Sequence, residues 1–171
     1  MEPYPKLVYG KTEEICFDNP GHDLLTYFCT SGTTGESKII PDKRTGIANL
    51  INNKSNTYIE EGDTSLLISS VTFDLTIDPI YRSLLKGGTI VIVEIEKLFN
   101  KNYLLDLVEK TGADTLLGTP SALSGICDEV YKKLTKVGSV GEILTKSLAN
   151  RLNSFDNIRL FNCYLCQWLC S

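Results

Sequence analysis

The residues best suited to chemistry run in one stretch, Thr30, Ser31, Gly32, Thr33, Thr34, Gly35, Glu36, Ser37 and Lys38. Glycine lets a backbone approach an anion with no Cβ in the way, hydroxyls and amides supply donors, and Lys38 supplies a positive charge. Such a set suits a polyphosphate. A Ser/Thr/Gly-rich stretch after a strand is ordinarily a surface loop, and only the specific order of this one sets it apart. It is not a Walker-type loop, because Ser37 precedes Lys38, and no G-x-G-x-x-G pattern is present.

Asp74 is a second candidate, placed in Val71–Thr76 where a strand gives way to a helix. A carboxylate there can cap the first helical turn or pair with a substrate ammonium. Asp78 follows one turn later, so both carboxylates could look the same way. Standing before Pro79, Asp78 fits a solvated helix-start residue equally well. Cys163, Cys166 and Cys170 form C-x-x-C-x-x-x-C, but zinc normally takes four ligands and the only histidine, His22, is distant in sequence. No metal site is read there. His22 sits beside Pro20 and Gly21 as a turn residue, and nothing supports a Ser/His/Asp or Cys/His mechanism, so no catalytic residue is named.

The elements that must position these residues follow from hydrophobic period. Residues 1–23 carry Pro3, Pro5, Gly10, Pro20 and Gly21 and read as an irregular lead-in. Leu24–Cys29 is an apolar strand leading into the polar loop, and Ile47, Leu50, Ile51 and Tyr58 suggest a helix face. Ser65–Ser70 reads as a buried strand. Ile77, Ile80, Tyr81, Leu84 and Leu85 then fall on one apolar helix face, ended by Gly87 and Gly88. A strand at Thr89–Val93, a helix near Tyr103–Lys110 and a strand at Thr115–Leu117 come next. Pro120 starts one longer helix whose spacing holds through Leu134. A strand near Val137–Val140, a helix at Lys146–Leu152 and a strand at Ile158–Tyr164 complete the order. Continuously apolar strands alternating with amphipathic helices specify an α/β fold, a mostly parallel sheet flanked by helices. Ligands in such sheets bind beyond the carboxyl ends of the strands, where the loop, Asp74, Gly118 and Tyr164 would share one edge.

Composition removes several function classes. With 17 basic and 21 acidic residues the net charge is -4, which gives no electrostatic case for nucleic acid or an anionic membrane surface. No apolar run reaches the ~18 residues that span a bilayer, and Met1–Gly10 lacks signal-peptide character, so a cytoplasmic location is expected. Cysteines at 16, 29 and 127 in apolar context fit a reduced intracellular protein.

Thr-Ser-Gly-Thr-Thr-Gly-x-x-Lys, at 30–38, resembles the phosphate-binding signature of the adenylate-forming superfamily of AMP-dependent synthetases and ligases. Ser37 and Ile39 stand where that pattern usually has proline and glycine. Phe73-Asp74-Leu75-Thr76 is similar to the amino-acid-activating branch, the adenylation domains of nonribosomal peptide synthetases; acyl-CoA synthetases usually carry a histidine-containing stretch at this place. Gly141-Glu142-Ile143-Leu144 resembles a Gly-Gly-Glu-x-Leu turn with Val140 for its first glycine. Asn162-Cys163-Tyr164 matches the opening of Asn-x-Tyr-Gly-Pro-Thr-Glu, after which the chain departs.

The resemblance implies ATP phosphates held by Thr30, Ser31, Gly32, Thr33, Thr34, Gly35 and Lys38, and adenine contacted by Gly141, Asn162 and Tyr164. It implies an amino-acid pocket walled by Asp74, Leu75, Asp78, Leu117, Val140 and Cys163, with Asp74 on the α-amino group. An acidic Asp78 would favour a polar or cationic substrate side chain. Mg²⁺ is implied too, although the glutamate that helps hold it is missing here. In the complete enzyme a carrier-protein domain is the expected partner. The expected layout is a lead-in at 1–23, a partial adenylation domain at 24–164, part of the family's large N-terminal domain, and a non-matching tail at 165–171.

The implied reaction is amino-acid carboxylate plus ATP to aminoacyl-AMP and pyrophosphate. The ribose-binding aspartate and the C-terminal lysine of the family are absent along with the glutamate. Losses of ~10²–10³ for even one electrostatic contact would compound, so the expectation is a fragment with little or no activity alone. The alternatives are a non-catalytic truncated product, a nucleotide-binding partner subunit or an acyl-CoA synthetase fragment.

Overall fold

The computed structural model describes residues 24–30, 38–52 and 58–163. Strand β1 (Leu24–Thr30) pairs antiparallel with β2 (Lys38–Lys43), and Thr30 and Lys38 face each other across the ladder where the polar loop begins and ends. This corrects the expectation that the loop leaves a strand of the main parallel sheet. Ile39 and Ile40 give β2 its strand character, and Pro41 is tolerated because both strands of a two-stranded ribbon are edges. Helix α1 follows at Arg44–Asn52. Tyr58, expected on its face, lies outside it in a bend.

The main sheet is built from β3 (Thr64–Leu67), β4 (Thr89–Ile92), β5 (Thr115–Gly118), β6 (Lys136–Val140) and β7 (Arg159–Cys163). Every pairing is parallel, in the order β4-β3-β5-β6-β7. Strands β5 and β6 are buried throughout, as interior strands covered on both faces must be. Helices connect them: α2 (Ile77–Leu85), α3 (Lys101–Thr111), α4 (Pro120–Gly125), α5 (Asp128–Tyr131) and α6 (Lys146–Asn153).

Local chemistry explains where these helices begin and end. Asn100, Thr119 and Thr145 each accept a backbone N–H at a helix start, and Pro120 takes the first position of α4, where its missing N–H is not needed. The expected single helix from Pro120 to Leu134 is instead α4 and α5, because Ile126 and Cys127 turn extended between them. Arg151 of α6 holds that break, donating to the Ser124 and Ile126 carbonyls and to Asp128.

The sheet has two unlike faces. On one, Leu66, Leu116, Val137 and Leu160 from successive strands meet Leu104, Leu123, Tyr131 and Leu152 from the helices in the main core. On the other, α2 lies against the sheet with an unexpected orientation. The apolar stripe does form a helix, but its buried residues are Asp78, Pro79, Arg82 and Ser83, while Leu84 and Leu85 are exposed. Ser83 donates to Ser65 Oγ of β3, and Arg82 pairs with Asp78, so polar contacts set which side of α2 faces inward.

Candidate functional site

The site lies at the carboxyl ends of β5, β6 and β7. Side chains alternate along a strand, so Leu117, Val140, Phe161 and Cys163 share one face while Ser139 and Asn162 share the other. Tyr58, Ile59, Leu117 and Val140 form a second buried cluster, with Leu75, Phe161 and Cys163 packed against it. Four of the expected pocket walls, Leu75, Leu117, Val140 and Cys163, therefore converge. Gly138 makes that convergence possible: a Cβ there would fall 2.4 Å from Leu117 Cδ1 and 3.8 Å from Cys163 Sγ.

Asp74 begins a short 3₁₀ turn, Asp74–Thr76, that leads into α2. Its carboxylate is exposed and accepts the Leu75 N–H at 2.8 Å, so it neither caps α2 nor is committed to a charged partner by that bond. Gly141 (φ +84°) carries the turn after β6 and approaches Leu75, where a Cβ would stand 3.0 Å from Leu75 Cδ1. That left-handed conformation suits glycine. Glu142 fixes the same turn to the start of α4 by accepting from Ser121 N at 3.0 Å and Ser121 Oγ at 2.6 Å. Those bonds, the hydroxyl's first, hold the Glu142 carboxyl below its usual pKa.

Asp78 is neither solvated nor open. One carboxylate oxygen accepts Arg82 Nε at 2.9 Å and Arg82 Nη2 at 2.8 Å, and the other accepts Tyr58 OH at 2.6 Å. The Arg82 guanidinium also lies 5.6 Å from the Tyr58 ring centroid. Burial first, and then the Asp78 charge, push the Tyr58 phenol well above its usual pKa, so it remains a donor. Burial and the same carboxylate raise the Cys163 thiol to about 11, which keeps it neutral at physiological pH. The cluster thus holds one carboxylate, one guanidinium, a phenol and a thiol against an apolar wall.

Asn162 is exposed on β7, on the face opposite Cys163, so strand alternation separates the expected adenine residue from the expected side-chain pocket. Ser31, Gly32, Thr33, Thr34, Gly35 and Tyr164 lie outside the described residues. Thr30 and Lys38 are described through their backbone pairing alone. Among the described residues no group of three or more His, Cys, Asp or Glu side chains could hold a metal ion.

Sequence reasoning missed Tyr58, Arg82, Gly138 and Phe161. Arg82 had a signal, since Asp78 and Arg82 stand at i and i+4. Tyr58 had none, as its bond to Asp78 spans twenty residues.

Residues 6–164 match the family described as AMP-binding enzyme. The chain belongs to that adenylate-forming family. A D-alanine–D-alanyl carrier protein ligase from Lactococcus lactis is 28% identical over 153 residues, covering 84% of this chain and 30% of the ligase. Gramicidin S synthase 2 from Brevibacillus brevis is 31% identical over 113 residues, covering 66% of this chain and 2% of the synthase. The chain thus spans about a third or less of the length of these relatives.

Among solved structures, an NRPS protein containing adenylation and PCP domains, bound to a vinylsulfonamide inhibitor, superposes with a TM-score of 0.71 at 26% identity. The match covers 80% of this chain and 24% of that one. The N-terminal subdomain of Klebsiella oxytoca NpsA, in complex with 3-hydroxybenzoyl-AMSN, matches with a TM-score of 0.68 at 20% identity, covering 82% and 36%. That likeness concerns the fold: a mostly parallel sheet flanked by helices, as expected from the sequence.

Proposed function

We propose that this chain supplies the ATP- and amino-acid-binding part of an amino-acid-adenylating ligase whose product is passed to a carrier protein. The observation that carries the reading is the convergence of Leu75, Leu117, Val140 and Cys163 beside the exposed Asp74 carboxylate at one end of the sheet. An α-ammonium would pair with Asp74 there while its side chain enters the apolar cluster, and a carboxylate anchor makes such binding directional. The carrier partner is supported by relatives, one named as a carrier protein ligase and another joining adenylation and PCP domains.

In the proposed reaction a carboxylate oxygen of the amino acid attacks the α-phosphorus of ATP. The bond from that phosphorus to the bridging oxygen breaks, and pyrophosphate leaves with the electron pair. Lys38 and the residues of the 30–35 stretch would stabilise the charge gathering on the leaving group. Gly141 offers a surface without a side chain, and Asn162 an amide, for the adenine, with Tyr164 stacking on it. The residues are proposed to orient the two substrates, and no step is assigned to a metal.

Equilibrium ATP binding to the whole chain, with Lys38→Ala as control, tests the reading. Binding weakened about tenfold or more by the substitution is expected, from loss of a charge-assisted contact. Amino-acid-dependent pyrophosphate exchange should stay near the Lys38→Ala level, because the magnesium glutamate, ribose aspartate and lysine that the resemblance implies are not among these residues. No ATP binding would sink the nucleotide assignment, and exchange well above the control would sink the expectation of low activity.

A further inference from the structure

A buried ion pair, Asp78 with Arg82, is tied through Tyr58 to the apolar cluster that the proposed function makes the side-chain site. Resting on the function proposed above, we propose that the site takes an amino acid with an uncharged, apolar side chain and rejects a cationic one, because Arg82 already occupies Asp78.

Read from the sequence, Asp78 invites a cationic substrate. In the folded chain both of its oxygens are engaged, one by two nitrogens of Arg82 and one by the Tyr58 hydroxyl. The Arg82 side chain is 1% exposed and that of Asp78 is 11% exposed, so bulk water does not screen the pair. A substrate ammonium reaching Asp78 would meet the Arg82 charge at close range. Displacing Arg82 instead would leave a guanidinium buried without its carboxylate, which is strongly unfavourable. An anionic side chain would face the Asp78 carboxylate in the same way.

An uncharged side chain meets neither penalty. It would meet the cluster of Leu75, Leu117, Val140 and Tyr58, together with Cys163, whose thiol is neutral. Tyr58 links the two parts of the device, since it packs in the apolar cluster while its hydroxyl closes the free side of Asp78. Arg82 is thus a specificity-determining residue acting through Asp78.

The test is equilibrium binding of three probes to the whole chain: sulfamoyl adenosine N-acylated on its sulfamoyl nitrogen with leucine, lysine or glutamate, with unsubstituted sulfamoyl adenosine as reference. The leucyl compound should bind at least tenfold more tightly than either charged one. Arg82→Met leaves Asp78 without its cation, and its preference should swing toward the lysyl compound. Asp78→Asn combined with Arg82→Met removes both charges but keeps an acceptor for Tyr58, and the leucyl preference should survive. If Arg82→Met does not fold, the wild-type ranking and the double variant still decide.

Lysyl binding equal to or tighter than leucyl binding in the wild type overturns the proposal. Sulfamoyl adenosine binding with no preference among the three also overturns it, and leaves the nucleotide site standing. Failure of every adenosine compound to bind overturns the functional reading and the proposal together.

Discussion

The two faces of the main sheet are built from the same strands and obey opposite rules. Toward α3, α4, α5 and α6 the inward residues are apolar and the helices turn their hydrophobic stripes to the sheet. Toward α2 the inward residues include Ser65, Asp78, Arg82 and Ser83, and Leu84 and Leu85 point outward. The first face is held by area removed from water, a non-directional contribution that tolerates many sequences. The second adds to a smaller apolar cluster a set of paired charges and hydrogen bonds, which are directional and fail sharply when one partner is lost.

The directional contacts of the α2 face depend most on Arg82. Arg82→Ala should destabilise the chain by about 3–5 kcal/mol, because Asp78 stays buried with only Tyr58 to satisfy it. Asp78→Asn with Arg82→Met should cost far less than Arg82→Ala, despite changing more atoms. Urea denaturation of the three proteins measures both effects. A loss below about 1 kcal/mol for Arg82→Ala, the range of a surface ion pair, would mean that water reaches the pair and the two faces are not different in kind.

On the apolar face the counterpart is Leu116, fully buried in β5. Leu116→Ala should cost about 2–5 kcal/mol, from lost transfer energy plus the cavity left behind. Leu116→Met should cost under about 1.5 kcal/mol, since volume is nearly conserved. No conservative exchange of Arg82 should be so mild, and Arg82→Lys is the sharpest check, because lysine keeps the charge but loses the fork that grips one oxygen of Asp78 with two nitrogens.

This contrast also explains what the sequence revealed. Helical spacing in Leu104, Leu107 and Val108 and the runs at Leu116–Gly118 and Val137–Val140 report burial by area, so the parallel sheet and its helices were legible. The resemblance groups Leu75, Leu117, Val140 and Cys163, and these four pack in one cluster. The orientation of α2 could not be read, because periodicity shows that a helix is amphipathic but not that polar bonds have claimed its inner side. The break between α4 and α5 was hidden for a related reason. Ile126 and Val130 keep helical spacing, and Ile126 is buried from an extended backbone. The antiparallel pairing of Lys38–Lys43 was masked by Pro41, which an interior strand would exclude.

Cys163 adds a titratable group to the cluster on the α2 face. Its pKa is raised to about 11 from 9.0, so at pH 8 its thiolate fraction should be ~100-fold below that of an ordinary thiol. Iodoacetamide labelling, followed by peptide mass spectrometry, should show slow modification at neutral pH and a rise as pH approaches 11. The sign for stability follows: the folded state prefers the protonated thiol, so this contribution is intact below the unfolded value and is lost as pH rises from about 9 toward 11. Fast labelling at pH 7 would place the thiol in water and remove it from the apolar cluster.

The smallest effect expected has the opposite sign. Ser139, on the apolar face of β6, is fully buried and its hydroxyl has no partner among the described residues. It lies between Gly118 and Asn162 in the strand register, at the edge where the expected adenine residues begin. A buried hydroxyl without a partner costs roughly 1–3 kcal/mol, against which Ser139→Ala gives up one oxygen's packing contacts. The variant should therefore be more stable, by up to about 1 kcal/mol, with an unchanged urea dependence. A gain would mean that the apolar face carries a polar defect at the carboxyl end of β6. A loss of stability would mean that the hydroxyl is hydrogen-bonded in solution, and that directional contacts like those of the α2 face reach across the sheet at that end.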